Sequence, residues 1–191
     1  MSDLHFVRHG ESTWNATGRW QGQGDPPLSE TGRRQATAAS TVLVAVGATV
    51  LASSDLARAA ETARAIGAAV GLEPRWVPEL RELDVGAWSG LPHAEIARRF
   101  PDELARFRAG DPDVRPGGGE TRRELTGRVT AALAALAAEA PGRVIAVSHL
   151  GVLRAIRPAA ELANAASVAL SLEELKAAPA RYHGERRNDR L

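Results

Sequence analysis

Apolar residues along this chain recur in two patterns. Short consecutive runs end abruptly in polar groups: Leu4-His5-Phe6-Val7 stops at Arg8-His9-Gly10, Ala48-Thr49-Val50-Leu51-Ala52 at Ser53-Ser54-Asp55, and Arg143-Val144-Ile145-Ala146-Val147 at Ser148-His149. Runs of this length and β-branched content read as buried strands. Pro74-Arg75-Trp76-Val77 and Ser167-Val168-Ala169-Leu170 are weaker strands of the same kind. Between the runs the apolar positions take up helical spacing. Ser29, with Glu30 in the first turn, opens a helix to about Val46, and Leu56, Ala60, Ala63, Ile66 and Val70 form a stripe that ends at Gly71. Thr121-Arg122-Arg123-Glu124 has the form of a capping box, after which Leu125, Val129, Ala132, Leu133 and Leu136 follow one face up to Pro141-Gly142. Residues 92–100, closed by prolines on both sides, read as one short helix.

Strands alternating with helices predict an α/β fold, a single three-layer α/β/α domain over residues 1–191 around a mainly parallel central sheet. Residues 18–27 and 111–119 are rich in glycine, proline and aspartate and read as surface loops. Residues 91–119 form an excursion that would cover a substrate, and 181–191 read as a frayed tail. No internal repeat is present.

Composition narrows the function. The 191 residues are 44% hydrophobic and 25% charged, with no cysteine and a formal charge of +1. Disulfides, thiolate nucleophiles and cysteine-ligated metals are thereby excluded. The charge is too balanced for a dedicated nucleic-acid binder. No apolar run approaches the roughly 18 residues of a membrane span, and Met1-Ser2-Asp3 leads into the first strand without a secretory signal, so a soluble cytoplasmic protein is expected. Apart from Lys176, every cationic residue is an arginine.

In a parallel sheet the C-terminal strand ends share one edge, where ligand sites form. Arg8-His9, residues 53–58 with Arg58, and Ser148-His149 all fall at such ends. The strand assignments therefore bring two histidines and two arginines into one pocket. Arginine forks donate paired, charge-assisted hydrogen bonds to phosphate oxygens. The helix N-termini after Asp55 and Ser148 would add amide donors. The site reads as one for an anion.

Four segments carry a family resemblance: Phe6-Val7-Arg8-His9-Gly10-Glu11-Ser12-Thr13-Trp14-Asn15, residues 53–63, residues 80–90, and Ser148-His149-Leu150-Gly151-Val152-Leu153-Arg154. In this order they resemble the signatures of the histidine phosphatase superfamily, also called phosphoglycerate mutase-like, and Pro116-Gly117-Gly118-Gly119-Glu120 is similar to its glycine–glutamate stretch. Leu150 departs from the pattern, since many members have a second glycine there. The resemblance implies a phosphoglycerate mutase-like fold and hydrolysis of a small-molecule phosphate monoester. His9 would be the nucleophile, forming a phosphohistidine, and Glu82 the general acid and base. Arg8, Arg58, His149, Asn15 and Ser12 would hold the phosphoryl oxygens, His149 acting as a protonated donor. Arg8 and Arg58 should depress the His9 pKa and keep its imidazole neutral. No cofactor and no metal are required, because arginine and histidine supply the positive charge.

Other readings of individual residues are plainer. His5 reads as a packed or edge histidine, Trp14, Trp20 and Trp88 as core packing with lining of a substrate pocket as the alternative, Glu11 as an orienting partner of an arginine or a catalytic group, and Arg154 as a solvated or structural cation. Arginines of residues 98–123 form either a solvated face or contacts to a second acidic group on the substrate. A serine hydrolase lacks its Gly-x-Ser-x-Gly turn here. The rival functions are a phosphoglycerate mutase, disfavoured by the short stretch between Glu82 and Glu120, and a non-catalytic phospholigand-binding module, which would need no acid at Glu82. The protein is expected to be a monomer or homodimer without nucleic-acid or membrane partners.

Overall fold

A computed structural model describes residues 4–179; the tail assigned to 181–191 lies outside them. Five strands form one sheet: β1 (Leu4–Arg8), β2 (Ala48–Ser53), β3 (Arg75–Trp76), β4 (Arg143–Ser148) and β5 (Ser167–Leu170). Their spatial order is β3-β2-β4-β1-β5, with β5 antiparallel to β1 and every other pairing parallel. Register places Arg8 beside Ser148 and Ser53 beside Val147, so the three polar strand ends meet at one edge.

Side chains alternate across this sheet as pleating requires. Leu4, Phe6, Val144 and Ala146 face one core with Leu125, Val129, Leu133 and Leu136 of α6 (Arg122–Glu139). Val7, Leu51, Ile145 and Val147 face the other, against Leu43 of α2 (Glu30–Leu43) and Ala59, Ala63 and Ile66 of α3 (Ala57–Val70). The layers are therefore α/β/α, as the alternating pattern predicts. Each main helix begins and ends where its sequence allows. Ser29 Oγ accepts from Gly32 N, Thr121 and Glu124 close a reciprocal capping box, and Gly71 ends α3 in the left-handed region. A short helix, α1 (Thr13–Ala16), follows β1, while α7 (Leu150–Ile156) and α8 (Leu172–Ala177) complete the chain.

The excursion departs from expectation. The helix expected at 92–100 is present as α4 (His93–Arg99), and a second one that the sequence reading did not include, α5 (Pro101–Arg108), follows it. Phe100 separates them at φ −133° and ψ 51°. Pro101 drives the preceding residue out of the helical region and then occupies the first turn of the next helix. The helix predicted to reach Val46 stops at Leu43 and tightens into a 3-10 turn over Val44–Val46. β3 is shorter than predicted and exposed.

The loop after β1 lies directly on α2. A Cβ at Gly10 would stand 2.5 Å from Gly32 O, and one at Gly32 would stand 1.9 Å from Glu11 O. Ser29 N donates to Glu11 O at 2.8 Å, and Ser29 Oγ to Glu11 Oε1 at 2.7 Å. The Glu11 carboxylate thus fixes the loop through a serine, not through the arginine expected from sequence. In an unconstrained helix, Gly32→Ala would gain about 1 kcal/mol. Here the clash should reverse the sign, to a net loss of about 1–3 kcal/mol in urea unfolding.

Candidate active site

His9 closes β1 and is 3% exposed. Its amide donates to Ser148 O at 3.0 Å, and its carbonyl accepts from Ala165 N and Asn164 Nδ2, both at 3.1 Å. Backbone fixation on both sides leaves the ring little freedom. Nδ1 lies 2.6 Å from Gly10 O, which can only accept, so Nδ1 carries the proton and Nε2 keeps its lone pair. Burial first, then Arg58 and Arg8, hold His9 well below the ordinary imidazole range, against the opposing pull of the Gly10 carbonyl. The sequence reading named the arginines; the larger cause is desolvation.

His149 is fully buried at the N-cap of α7, its ring centroid 5.1 Å from that of His9. Nε2 lies 2.9 Å from Ser54 Oγ, and that oxygen accepts from Leu56 N at 3.3 Å. With the amide bond taken by its lone pair, the Ser54 hydroxyl hydrogen is available to Nε2, which places the imidazole proton on Nδ1. Burial, followed by the charges of Arg58 and its neighbours, keeps this ring neutral at pH 7. A protonated His149, the expectation from sequence, is not the form these surroundings favour; a neutral Nδ1–H donor is.

Arg58 has no exposed surface, yet its head is held by carbonyls alone, Nη1 on Gly24 O and Nη2 on Gly22 O, each at 2.8 Å. Burial pushes its pKa down to about 10. Arg8 Nη1 donates to Leu162 O at 2.6 Å. Among the described residues, four buried side-chain nitrogens lack a partner: Arg8 Nε, Arg58 Nε, His149 Nδ1 and Trp88 Nε1. The tryptophan belongs to an aromatic cluster with Trp20, Phe100 and Phe107. The other three belong to the residues that the sequence assigned to one anion site. Buried donors without acceptors are costly unless a ligand satisfies them.

Glu82 reaches the same site from the loop after β3. Its Oε1 accepts from Leu83 N at 2.8 Å and its Oε2 from Gly151 N at 3.0 Å. A Cβ at residue 151 would stand 2.1 Å from Glu82 Oε1. Gly151 is therefore the glycine that the geometry needs, and Leu150 opens α7 without disturbing it. The loop itself is clamped by Arg128, which donates to the carbonyls of Glu79, Arg81 and Glu82 at 2.6, 2.8 and 3.0 Å. Glu120 takes the same guanidinium in a bidentate pair at 2.7 and 2.8 Å. Arg81 forks onto Asp55 and ties the loop to the end of β2. Sequence reasoning missed Arg128 and Ser54; the spacing of Glu120 and Arg128 across α6 was the one available hint.

A cavity of about 630 Å³ opens over these groups and is lined by Arg8, His9, Asn15, Arg58 and Glu82 among the predicted residues. His149 is not itself among the lining residues but lies beside His9, which is, at 5.1 Å between ring centroids. Ser12 is a correction: it is fully buried, caps α1 by accepting from Asn15 N, donates to Gln21 Oε1 at 2.7 Å, and does not line the cavity. The helix N-termini are corrected as well. Asp25 Oδ1 takes the Ala57 amide of α3 at 2.6 Å and Glu82 takes that of Gly151 in α7, so protein carboxylates occupy both. Trp20, read as core, packs on Trp88 and also lines the cavity, as do Arg19, Arg108, Arg122 and Arg154.

The profile of the histidine phosphatase superfamily (branch 1) matches residues 4–183. A metal-independent phosphoserine phosphatase of Arabidopsis thaliana is 42% identical over 160 residues, covering 82% of this chain and 67% of the relative. A probable phosphoglycerate mutase of Cronobacter sakazakii is 38% identical over 158 residues, covering 78% and 70%. Among solved structures, a mycobacterial glucosyl-3-phosphoglycerate phosphatase in complex with inorganic phosphate superposes with a TM-score of 0.80 at 34% identity, covering 91% of this chain and 93% of that one.

The two neutral histidines set a pH dependence of folding. Unfolded, each takes up a proton near pH 6.5; folded, each resists until the pH is well below that. The unfolded state binds more protons in that interval, so stability is full above pH 6.5 and falls on acidification, by up to ~1.4 kcal/mol per pH unit for each histidine. Urea unfolding at a series of pH values should show this slope, and His9→Asn and His149→Asn should each flatten it.

Proposed function

Because the chain belongs to the histidine phosphatase superfamily, we propose that it is a metal-independent phosphatase that hydrolyses a small-molecule phosphate monoester through a phosphohistidine on His9. The observation that carries this reading is a neutral imidazole with its proton tied to Gly10 O, beside three unpartnered buried donors on Arg8, Arg58 and His149. An acceptor nitrogen and convergent N–H donors are what in-line attack on phosphorus requires.

In the first step the Nε2 lone pair of His9 forms a bond to phosphorus, and the bond from phosphorus to the ester oxygen breaks with its electron pair leaving on oxygen. Arg8, Arg58 and the Nδ1–H of His149 hold the equatorial oxygens, and their donors need no rearrangement as charge builds there. Asn15 adds its Nδ2 donors, since its Oδ1 already accepts from Ser12. Glu82 gives a proton to the departing alkoxide. In the second step Glu82 takes a proton from water, which attacks phosphorus as the P–N bond breaks, and inorganic phosphate leaves. The arginine-lined cavity disfavours a cation, and among the described residues no group of three His, Cys, Asp or Glu side chains could hold a metal. The relatives' activities support a phosphatase acting on a small phosphorylated metabolite; the mutase among them keeps phosphoryl transfer as the second reading.

Trapping with labelled substrate by a denaturing alkaline quench should give an acid-labile, base-stable phosphoprotein in the wild type and none in His9→Ala. Equal labelling of both proteins removes His9 as nucleophile. Analysis of the released products separates hydrolysis from transfer.

Glu82→Gln keeps shape and hydrogen-bonding reach but cannot deliver an acidic proton. It should lower kcat/KM by about 10²–10⁴ with alkyl phosphates, and far less with an activated aryl phosphate whose oxygen leaves without help. An equal loss on both substrates would place the acid elsewhere.

A further inference from the structure

Six arginines line the cavity, and Glu82 is the one carboxylate that faces them among the described residues. Arg8 and Arg58 account for a phosphoryl group; the rest of the positive charge has no such use. Arg19 Nη1 donates to Gly90 O at 2.8 Å, Arg154 Nε to Ala160 O at 3.1 Å, and Arg108 meets His93. No carboxylate pairs with any of these three among the described residues.

Elsewhere on the same excursion, Arg98, Arg106 and Arg115 pair with Glu95, Asp111 and Glu124, and Arg99 lies over the Phe100 ring; none of the four lines the cavity. Arg19, Arg108 and Arg154 come from three separate elements, the loop after α1, the end of α5, and α7. Gathering them around one opening raises the energy of the empty site by mutual repulsion, and an anion would recover it. The cavity is also larger than a phosphoryl group needs, and one side of it is a flat wall in which Trp20 stands edge-on to Phe107 at 5.6 Å. Arg122 stacks on the same Phe107 ring at 4.1 Å.

We propose that Arg19, Arg108 and Arg154 form a second anion subsite, and that the substrate is a phosphate monoester carrying a further acidic group, such as a carboxylate, on the alcohol that departs. The proposal rests on the phosphatase reading above. The phosphoryl group seats between Arg8 and Arg58, the body of the alcohol lies along Trp20 and Phe107, and the second acid meets the outer arginines through charge-assisted, fork-shaped contacts. Specificity then comes from these three residues and not from the phosphate site.

The test compares substrates that differ only in that second charge: 3-phosphoglycerate against glycerol 3-phosphate, and 4-carboxyphenyl phosphate against 4-carbamoylphenyl phosphate. In at least one pair the acidic member should be favoured in kcat/KM by about tenfold or more. Added salt should erode that ratio, and the triple variant Arg19→Gln, Arg108→Gln, Arg154→Gln should bring it close to one. Phosphate release at equal kcat/KM within both pairs, or a preference that survives the triple variant, overturns the subsite while the phosphatase stands. If none of the four compounds releases phosphate, it is the phosphatase reading that fails. Calorimetric titration of the same pairs then decides the subsite: tighter binding of an acidic member that the triple variant abolishes supports it, and equal binding rules it out.

Discussion

Burying positive charge without a counter-ion is the constraint around which the catalytic edge of this protein is built. Arg58 is wholly enclosed, and among the described residues its head is hydrogen-bonded by the carbonyls of Gly22 and Gly24, with Glu82 and Asp25 acting on it only through charge. Carbonyl dipoles hold a guanidinium in place but do not cancel its charge. The residual field adds to burial, the larger cause, in lowering the pKa of His9 and His149, and it makes the cavity a place for anions. It also explains the use of the nearby helix ends. Asp25 and Glu82 occupy the amides of α3 and α7, so the attraction for a ligand comes from side chains whose charge survives burial, not from helix termini.

Glu82 is the exception in this field, and much of the surrounding architecture fixes it. Its carboxyl bridges its own loop and the start of α7, where only glycine leaves room. Its backbone hangs from Arg128, whose charge is balanced by Glu120 instead of by Glu82 itself. Arg81 and Asp55 fasten the same loop to β2. Two ion pairs thus neutralise Arg81 and Arg128, so that the Glu82 carboxyl is hydrogen-bonded by backbone amides while Arg8 and Arg58 act on it through charge. For the acid–base role proposed for Glu82, partners whose own protonation does not change are an advantage.

Much of this was legible in the sequence because it depends on local pattern. Apolar runs that stop at Arg8-His9, Ser53-Ser54 and Ser148-His149 fix both the strands and the edge where they meet, and Thr121 with Glu124 fixes the start of α6. What was hidden depends on long-range partners. Ser12 sits in the signature beside His9, but its hydroxyl is spent on α1 and Gln21. Nothing local distinguishes Arg154, which faces the cavity, from Arg98, which pairs on the surface. The break at Phe100 was readable from Pro101, whereas the second helix after it, over Pro101–Arg108, carries only Leu104 as a buried residue and left no clear apolar stripe to read.

The two histidines show how far such partners alter chemistry at fixed residue identity. Both are buried, both are neutral, and their rings are neighbours. A carbonyl accepts from Nδ1 of His9, which leaves an acceptor at Nε2; a hydroxyl, itself satisfied by the Leu56 amide, meets Nε2 of His149, which leaves a donor at Nδ1. Both rings carry the proton on Nδ1, and the nitrogen each leaves free, Nε2 of His9 and Nδ1 of His149, makes one an acceptor and the other a donor toward the site. The proposed mechanism calls for neutrality in both, since a protonated His9 would have no lone pair and a protonated His149 would add a further charge to a site already crowded with arginine. The low pKa values that burial produces are therefore what the proposed chemistry asks for as well as a consequence of the packing.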